Sequence, residues 1–165
     1  MSIKHLTPKS EEELRFSLQN LDGDEKLRDG CEHGLLWLVK DAIEGDKIKL
    51  SDSSSLLWAS QHGHKDIVEY LLKDSRIDPG YINCVAFRSA VYYGHYDIVK
   101  LLLKDPRVNP TANNNEALRD AMIAKDKKML EILSTDIRIK EILEIIKTKK
   151  IKFPERFLRY DIKNL

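Results

Sequence analysis

Cysteine is scarce in this chain, with two among 165 residues, Cys31 and Cys84, and no CxxC spacing. That excludes a disulfide scaffold and a zinc ribbon and makes a reducing cytosol the default compartment. Long apolar runs are missing too; none approaches the ~20 residues of a membrane span. The opening Met1-Ser2-Ile3-Lys4-His5 lacks the apolar core of roughly 7–15 residues that a secretory signal needs. An excess of one charge is also missing: 28 basic residues face 27 acidic ones, so binding to nucleic acid by bulk charge is not expected. No GxxxxGK(S/T), GxGxxG, HExxH, GxSxG or EF-hand pattern occurs, which leaves no motif for a nucleotide, a catalytic metal or a nucleophile. What is present is 42% apolar residues, enough for one packed core and too many for a disordered chain.

Self-similarity is the strongest signal. Sliding the chain by 31 positions sets LLWASQHGHKDIVEYLLKDSRIDP (56–79) on FRSAVYYGHYDIVKLLLKDPRVNP (87–110), with 12 of 24 residues identical. A third copy, LRDAMIAKDKKMLEILSTDIRIK, follows at 118–140 in the same phase. Ala59, Ala90 and Ala121 align, as do Ile67, Ile98 and Met129, and Leu71, Leu102 and Leu133.

Each copy reads as two short helices. The first covers 55–62, 86–93 and 116–124, and the second covers 66–73, 97–104 and 127–134. Gly63 and Gly94 sit between them, where a tight turn calls for positive φ. Asp66 and Asp97 place carboxylates at the positive end of each second helix. Ile67, Val68, Leu71 and Leu72 form one wide apolar stripe. Pro79 and Pro110 are expected to keep the following stretch extended. A helix pair of this size cannot bury its own apolar face, so neighbouring copies must stack.

The unit resembles the ankyrin repeat. The matching stretches are Ala59, Gly63-His64, Ile67-Val68 and Leu71-Leu72, repeated at Ala90, Gly94-His95, Ile98-Val99 and Leu102-Leu103. The family's TPLH tetrad is absent, and the spacing is 31 instead of the usual 33, as in a short-loop variant seen in giant viruses and amoebae. The resemblance implies an all-α, ankyrin-like solenoid of stacked helix-turn-helix repeats with degenerate capping helices at both ends. The expected layout is an extension and capping repeat at 1–54, repeats at 55–85, 86–115 and 116–140, and capping helices at 141–165.

In the flanks, Glu11–Asn20 and Gly34–Glu44 read as helices, and Leu21–His33, with its Asp-Gly pairs, reads as a loop. Residues 1–8 are expected to be loose, with Ile48 and Leu50 as the remainder of the degenerate unit. Arg138–Lys149 reads as a helix with Ile142, Leu143, Ile145 and Ile146 inward, and a last helix is expected from Pro154. His62 and His64 have no further His or Cys close in sequence, too few ligands for zinc. His64 and His95 fit a turn role with the ring bonded to backbone. Cys31 and Cys84 read as ordinary small residues.

Positions that vary between matching copies are the candidate recognition residues. The resemblance places Gln61, His62, Tyr92 and Tyr93, the two positions before each turn, on a concave face that often contacts the partner. Trp58 and Tyr96 lie nearby, and Tyr81 and Asn113 fall at shortened finger tips. Tyrosine suits such a face because a large apolar body carries a polar tip. The alternative for Tyr92 and Tyr93 is packing between units, and for Trp58 it is cover from the N-terminal cap. The function expected is non-enzymatic: a monomeric, cytoplasmic scaffold or adaptor that binds another protein, with no cofactor, metal or membrane. The rival readings are an adaptor for ubiquitin machinery, nucleic-acid binding or a nuclear address through the basic stretch 147–152, and a small enzyme with an unrecognised site.

Overall fold

A computed structural model describes residues 11–45 and 54–149. Among these are ten helices and no strand: α1 (Glu11–Leu18), α2 (Gly23–His33), α3 (Leu36–Glu44), α4 (Ser54–His62), α5 (Lys65–Leu71), α6 (Tyr81–Tyr92), α7 (Tyr96–Leu103), α8 (Ala112–Ala124), α9 (Lys127–Leu133) and α10 (Ile137–Lys149). The chain divides into two compact units, Met1–Ile77 and Asp78–Leu165. The all-α helix-pair architecture expected from the repeat is the one observed. Residues 1–8, Ile48, Leu50 and the helix expected from Pro154 lie outside the described residues.

In the first unit, α2 pairs with α3 and α4 with α5, while α2 lies beside α4 and α3 beside α5. First helices therefore stack on first helices and second on second. The shared core holds Leu27, Cys31, Leu38, Val39, Leu56, Ile67, Val68 and Leu71, all buried. Burial pushes the Cys31 thiol far up, with the Glu32 charge adding to it, so Cys31 stays a protonated packing group. The loop expected over 21–33 is replaced by α2. Asp22 starts it with a capping box, accepting from the Glu25 amide at 2.8 Å while Glu25 accepts from the Asp22 amide at 3.3 Å. Gly30 marks close packing here instead of a turn: a Cβ on it would lie 2.7 Å from Val39 Cγ2 and 3.1 Å from the Val39 nitrogen.

The turns between paired helices are left-handed, with φ of 74° at Gly34, 80° at Gly63 and 74° at Gly94. The third copy uses Lys125 there, at φ 55°. The expected turn role of histidine holds at His64, whose Nε2–H donates to the Glu32 carbonyl of the preceding helix pair at 3.2 Å.

In the second unit, α6 pairs with α7 and α8 with α9; α6 lies beside α8 and α7 beside α9. The extended stretch expected after Pro79 and Pro110 is not there. Each proline is buried and leads instead into a left-handed turn, Ile82-Asn83-Cys84 (φ 43–56°) and Asn113-Asn114-Asn115 (φ 52–59°), that opens the first helix. Asparagine tolerates this region, whereas β-branched Ile82 is strained in it. The first turn is tied down by the Cys84 amide on the Gly80 carbonyl at 3.0 Å and by the Asn109 amide on Cys84 Sγ at 3.2 Å. In α10 the inward stripe is Ile139, Leu143 and Ile146, spaced for one helix face. Ile145, expected inward, is 45% exposed, because it stands off that face.

A further repeat is visible in the loops. Asp74 and Arg76, Asp105 and Arg107, and Asp136 and Arg138 form the same clamp, each arginine reaching back two residues to its aspartate at 2.7 Å while its own amide donates to the same carboxylate. The arginine hydrogen bond holds each carboxyl below its ordinary value. A depressed carboxyl contributes stability above its unfolded value, about 4, and that contribution is lost as pH falls through the folded value. Asp105→Ala is therefore expected to cost about 1–2 kcal/mol at pH 7, discounted for the solvent around Arg107. In urea unfolding, the gap between variant and wild type should close below about pH 4. A gap that persists unchanged at pH 2.5 would contradict the clamp.

Candidate functional site

The variable residues sit where each first helix runs into its glycine turn. Ala59, Ala90 and Ala121 pin that stretch inward, all 2% exposed or less, and the residue after each is buried too, so the outward positions are the two before the turn. In the second unit this leaves Tyr92 70%, Tyr93 51% and Ile123 55% exposed. These large groups form one exposed cluster on a single stretch of the unit. The two tyrosine rings meet edge to face at 5.1 Å, and Tyr93 lies nearly parallel to His95 at 6.4 Å.

Between these rings and α8 runs a groove of about 280 Å³, lined by Tyr92, Tyr93, Ile123, Ala121 and Met129, with Asp120 and Asp126 as its charged groups. Asp126 caps α9, accepting from the Met129 amide at 2.9 Å, and also accepts from the Tyr96 hydroxyl at 2.9 Å. Asp120 makes no hydrogen bond among the described residues, and its carboxyl is pushed up by burial and by Glu116, against a smaller opposing pull from Arg119 and Arg88. Arg88 itself is bound to Glu116, which also accepts from Asn113 at 2.6 Å.

The eight sequence candidates fall into separate places. Trp58, Gln61 and His62 lie on α4 of the first unit, where Trp58 and Gln61 are half-buried and His62 is exposed with its Nδ1–H on the Trp58 carbonyl at 2.8 Å. Tyr92 and Tyr93 share the groove of the second unit. Tyr96 is half-buried beside it, held by Asp126 and covered by the Lys128 ammonium 4.2 Å from its ring. Tyr81 and Asn113 stand at the opposite ends of α6 and α8, at the left-handed turns. Of the groove residues outside that set, Asp120 and Ile123 stand out. Both are positions where the copies differ, Trp58/Ser89/Asp120 and Gln61/Tyr92/Ile123, so variability alone pointed to them.

Other chemistry is sparse. His62 and His64 stack at 6.2 Å, and no group of three or more His, Cys, Asp or Glu able to hold a metal occurs among the described residues. No described helix is long and apolar enough to cross a membrane.

The family model for ankyrin repeats (3 copies) matches residues 27–114, from α2 to the start of α8. Neither the curated proteins nor the solved structures give a match.

Proposed function

Since the chain belongs to the ankyrin-repeat family, whose repeats generally mediate protein–protein interaction and typically carry no catalysis, we propose that it is a non-enzymatic scaffold that binds a partner protein through the first-helix ends of its second unit. The observation that carries this reading is the exposure of Tyr92 and Tyr93 beside a groove. Two adjacent tyrosines left in water lose little side-chain freedom on binding and bring a large apolar area, which suits a hot spot. Short helices stacked on buried alanines hold them in place before the partner arrives, which lowers the entropy lost on association.

The test is affinity capture to identify a partner, then titration of that partner against variants. Tyr92→Ala/Tyr93→Ala is expected to weaken binding by roughly 10–100-fold with an unchanged melting temperature, since neither ring fills the core. Full affinity in a folded double variant would place the contact elsewhere.

A further inference from the structure

The groove of the second unit has a chemical bias that its apolar lining does not explain. Its walls are the Tyr92 and Tyr93 rings and Ile123, and its floor is made by Ala121 and Met129, both buried. Its charged lining is two carboxylates and no basic side chain among the described residues. One of them, Asp126, is occupied in capping α9 and holding Tyr96. The other, Asp120, is half-buried and makes no hydrogen bond among the described residues. Two cations pull on it, Arg119 and Arg88, but neither bridges it among the described residues, and Arg88 is bound to Glu116.

The repeat does not need a carboxylate at this position. The equivalent residues of the preceding copies are Trp58 and Ser89, and they occupy the same place on the same kind of helix. A half-buried carboxylate that no donor or cation bridges costs stability, so its presence here favours a cation from outside. Electron-rich aromatic faces beside the anion favour the same ligand, because a ring quadrupole attracts a positive charge laid against it. Apolar walls around a charged end fit a side chain with a hydrocarbon stem and a cationic head.

We propose that this groove receives a lysine or arginine side chain of the partner protein, with Asp120 as its counter-ion and Tyr92 and Tyr93 as its walls. The inference rests on the protein-binding reading above and names the group that reading leaves open. The stem lies along Ile123, Ala121 and Met129, and the head meets the Asp120 carboxylate. Asp126 adds negative potential at the same groove without giving up its own bonds. Affinity for the partner accordingly falls with added salt.

The test uses the full chain, labelled with ¹⁵N, and three probes: the Nα-acetyl N-methylamides of lysine, arginine and norleucine. Norleucine keeps an apolar stem and lacks the charge. The two cationic probes are expected to shift the amides of Tyr92, Tyr93, Asp120 and Ile123 saturably, with norleucine at least about tenfold weaker. Asp120→Asn, which keeps the shape, is expected to remove that difference while the rest of the spectrum stays in place. Equal binding of norleucine and lysine, or an Asp120→Asn protein that still prefers the cations, overturns the proposal. So do groove signals that shift with protein concentration alone, since a second copy of the chain would then fill the site. The two readings fail separately. Loss of partner binding in Tyr92→Ala/Tyr93→Ala but not in Asp120→Asn keeps the binding face and removes the cation. Saturable cation binding with a partner indifferent to the tyrosines does the reverse.

Discussion

Phe87→Ala is expected to lower the unfolding free energy by about 3–5 kcal/mol. Phe87 is fully buried on α6, which packs against both α7 and α8. The ring therefore fills space shared by two helix pairs, and neither pair can close over the hole without moving the other. Its counterparts one copy away, Leu56 and Leu118, are likewise 2% exposed or less, so this position is a core position in every copy. Phe87→Leu keeps most of the volume and is expected to cost about 1 kcal/mol. Urea unfolding measures both. Hydrogen exchange should show the loss concentrated in the amides of α6 to α9, because repeat proteins lose stability locally. A cost below about 1 kcal/mol for alanine would mean that the ring does not sit in a close-packed interior.

Gly34→Ala is expected to cost about 2–3 kcal/mol, and its cause can be separated into two parts. Gly34 and Gly94 have the same φ of 74°, so alanine at either site carries a left-handed strain of roughly 1–2 kcal/mol. Around Gly94 nothing lies within 4 Å of the added Cβ, whereas at Gly34 the His64 ring would be 2.7 Å away. To make room, the ring must give up its bond to the Glu32 carbonyl, adding about 1 kcal/mol. Gly94→Ala thus measures the strain alone. In a His64→Ala background, Gly34→Ala should fall to the Gly94→Ala value, leaving a coupling of about 1 kcal/mol in the double-mutant cycle. Additive costs would show that ring and glycine do not touch.

The helix pairs from α4 to α9 were legible because the copies write the same physics in the same phase: an alanine where helices approach in all three, a glycine at the turn with an Ile-Val-Leu-Leu stripe in the first two, and Lys125 with a Met-Leu-Leu stripe in the third. α2 was hidden because Gly30 and the Asp22-Gly23 pair carry the local signature of a loop. Glycine at 30 answers to Val39 on the facing helix, a constraint that no local pattern expresses. The left-handed turns at 82–84 and 113–115 were missed for a related reason. The prolines point to extension in the stretch after them, and Ile82 argues against positive φ, yet at 82–84 the bonds that join Cys84 to Gly80 and to Asn109 hold the turn. The three aspartate–arginine clamps stand in the aligned copies as a 31-residue period, but a matched Asp and Arg in a loop do not by themselves show that their side chains meet. Copy-to-copy variation pointed to Tyr92 and Tyr93, and the coordinates place both beside one groove. The significance of Asp120 depends on what it fails to touch, which only coordinates display.

The clamps bear on how such a chain grows. Asp74, Asp105 and Asp136 stand 31 residues apart, each closing the same local backbone bend with its own arginine. A stretch of gene running from one bend to the next thus encodes a cassette with interchangeable seams. Unequal crossing-over at those seams would lengthen or shorten the protein by whole modules while leaving every junction intact, and selection could then diversify the two outward positions before each turn, as at Gln61-His62, Tyr92-Tyr93 and Ile123-Ala124.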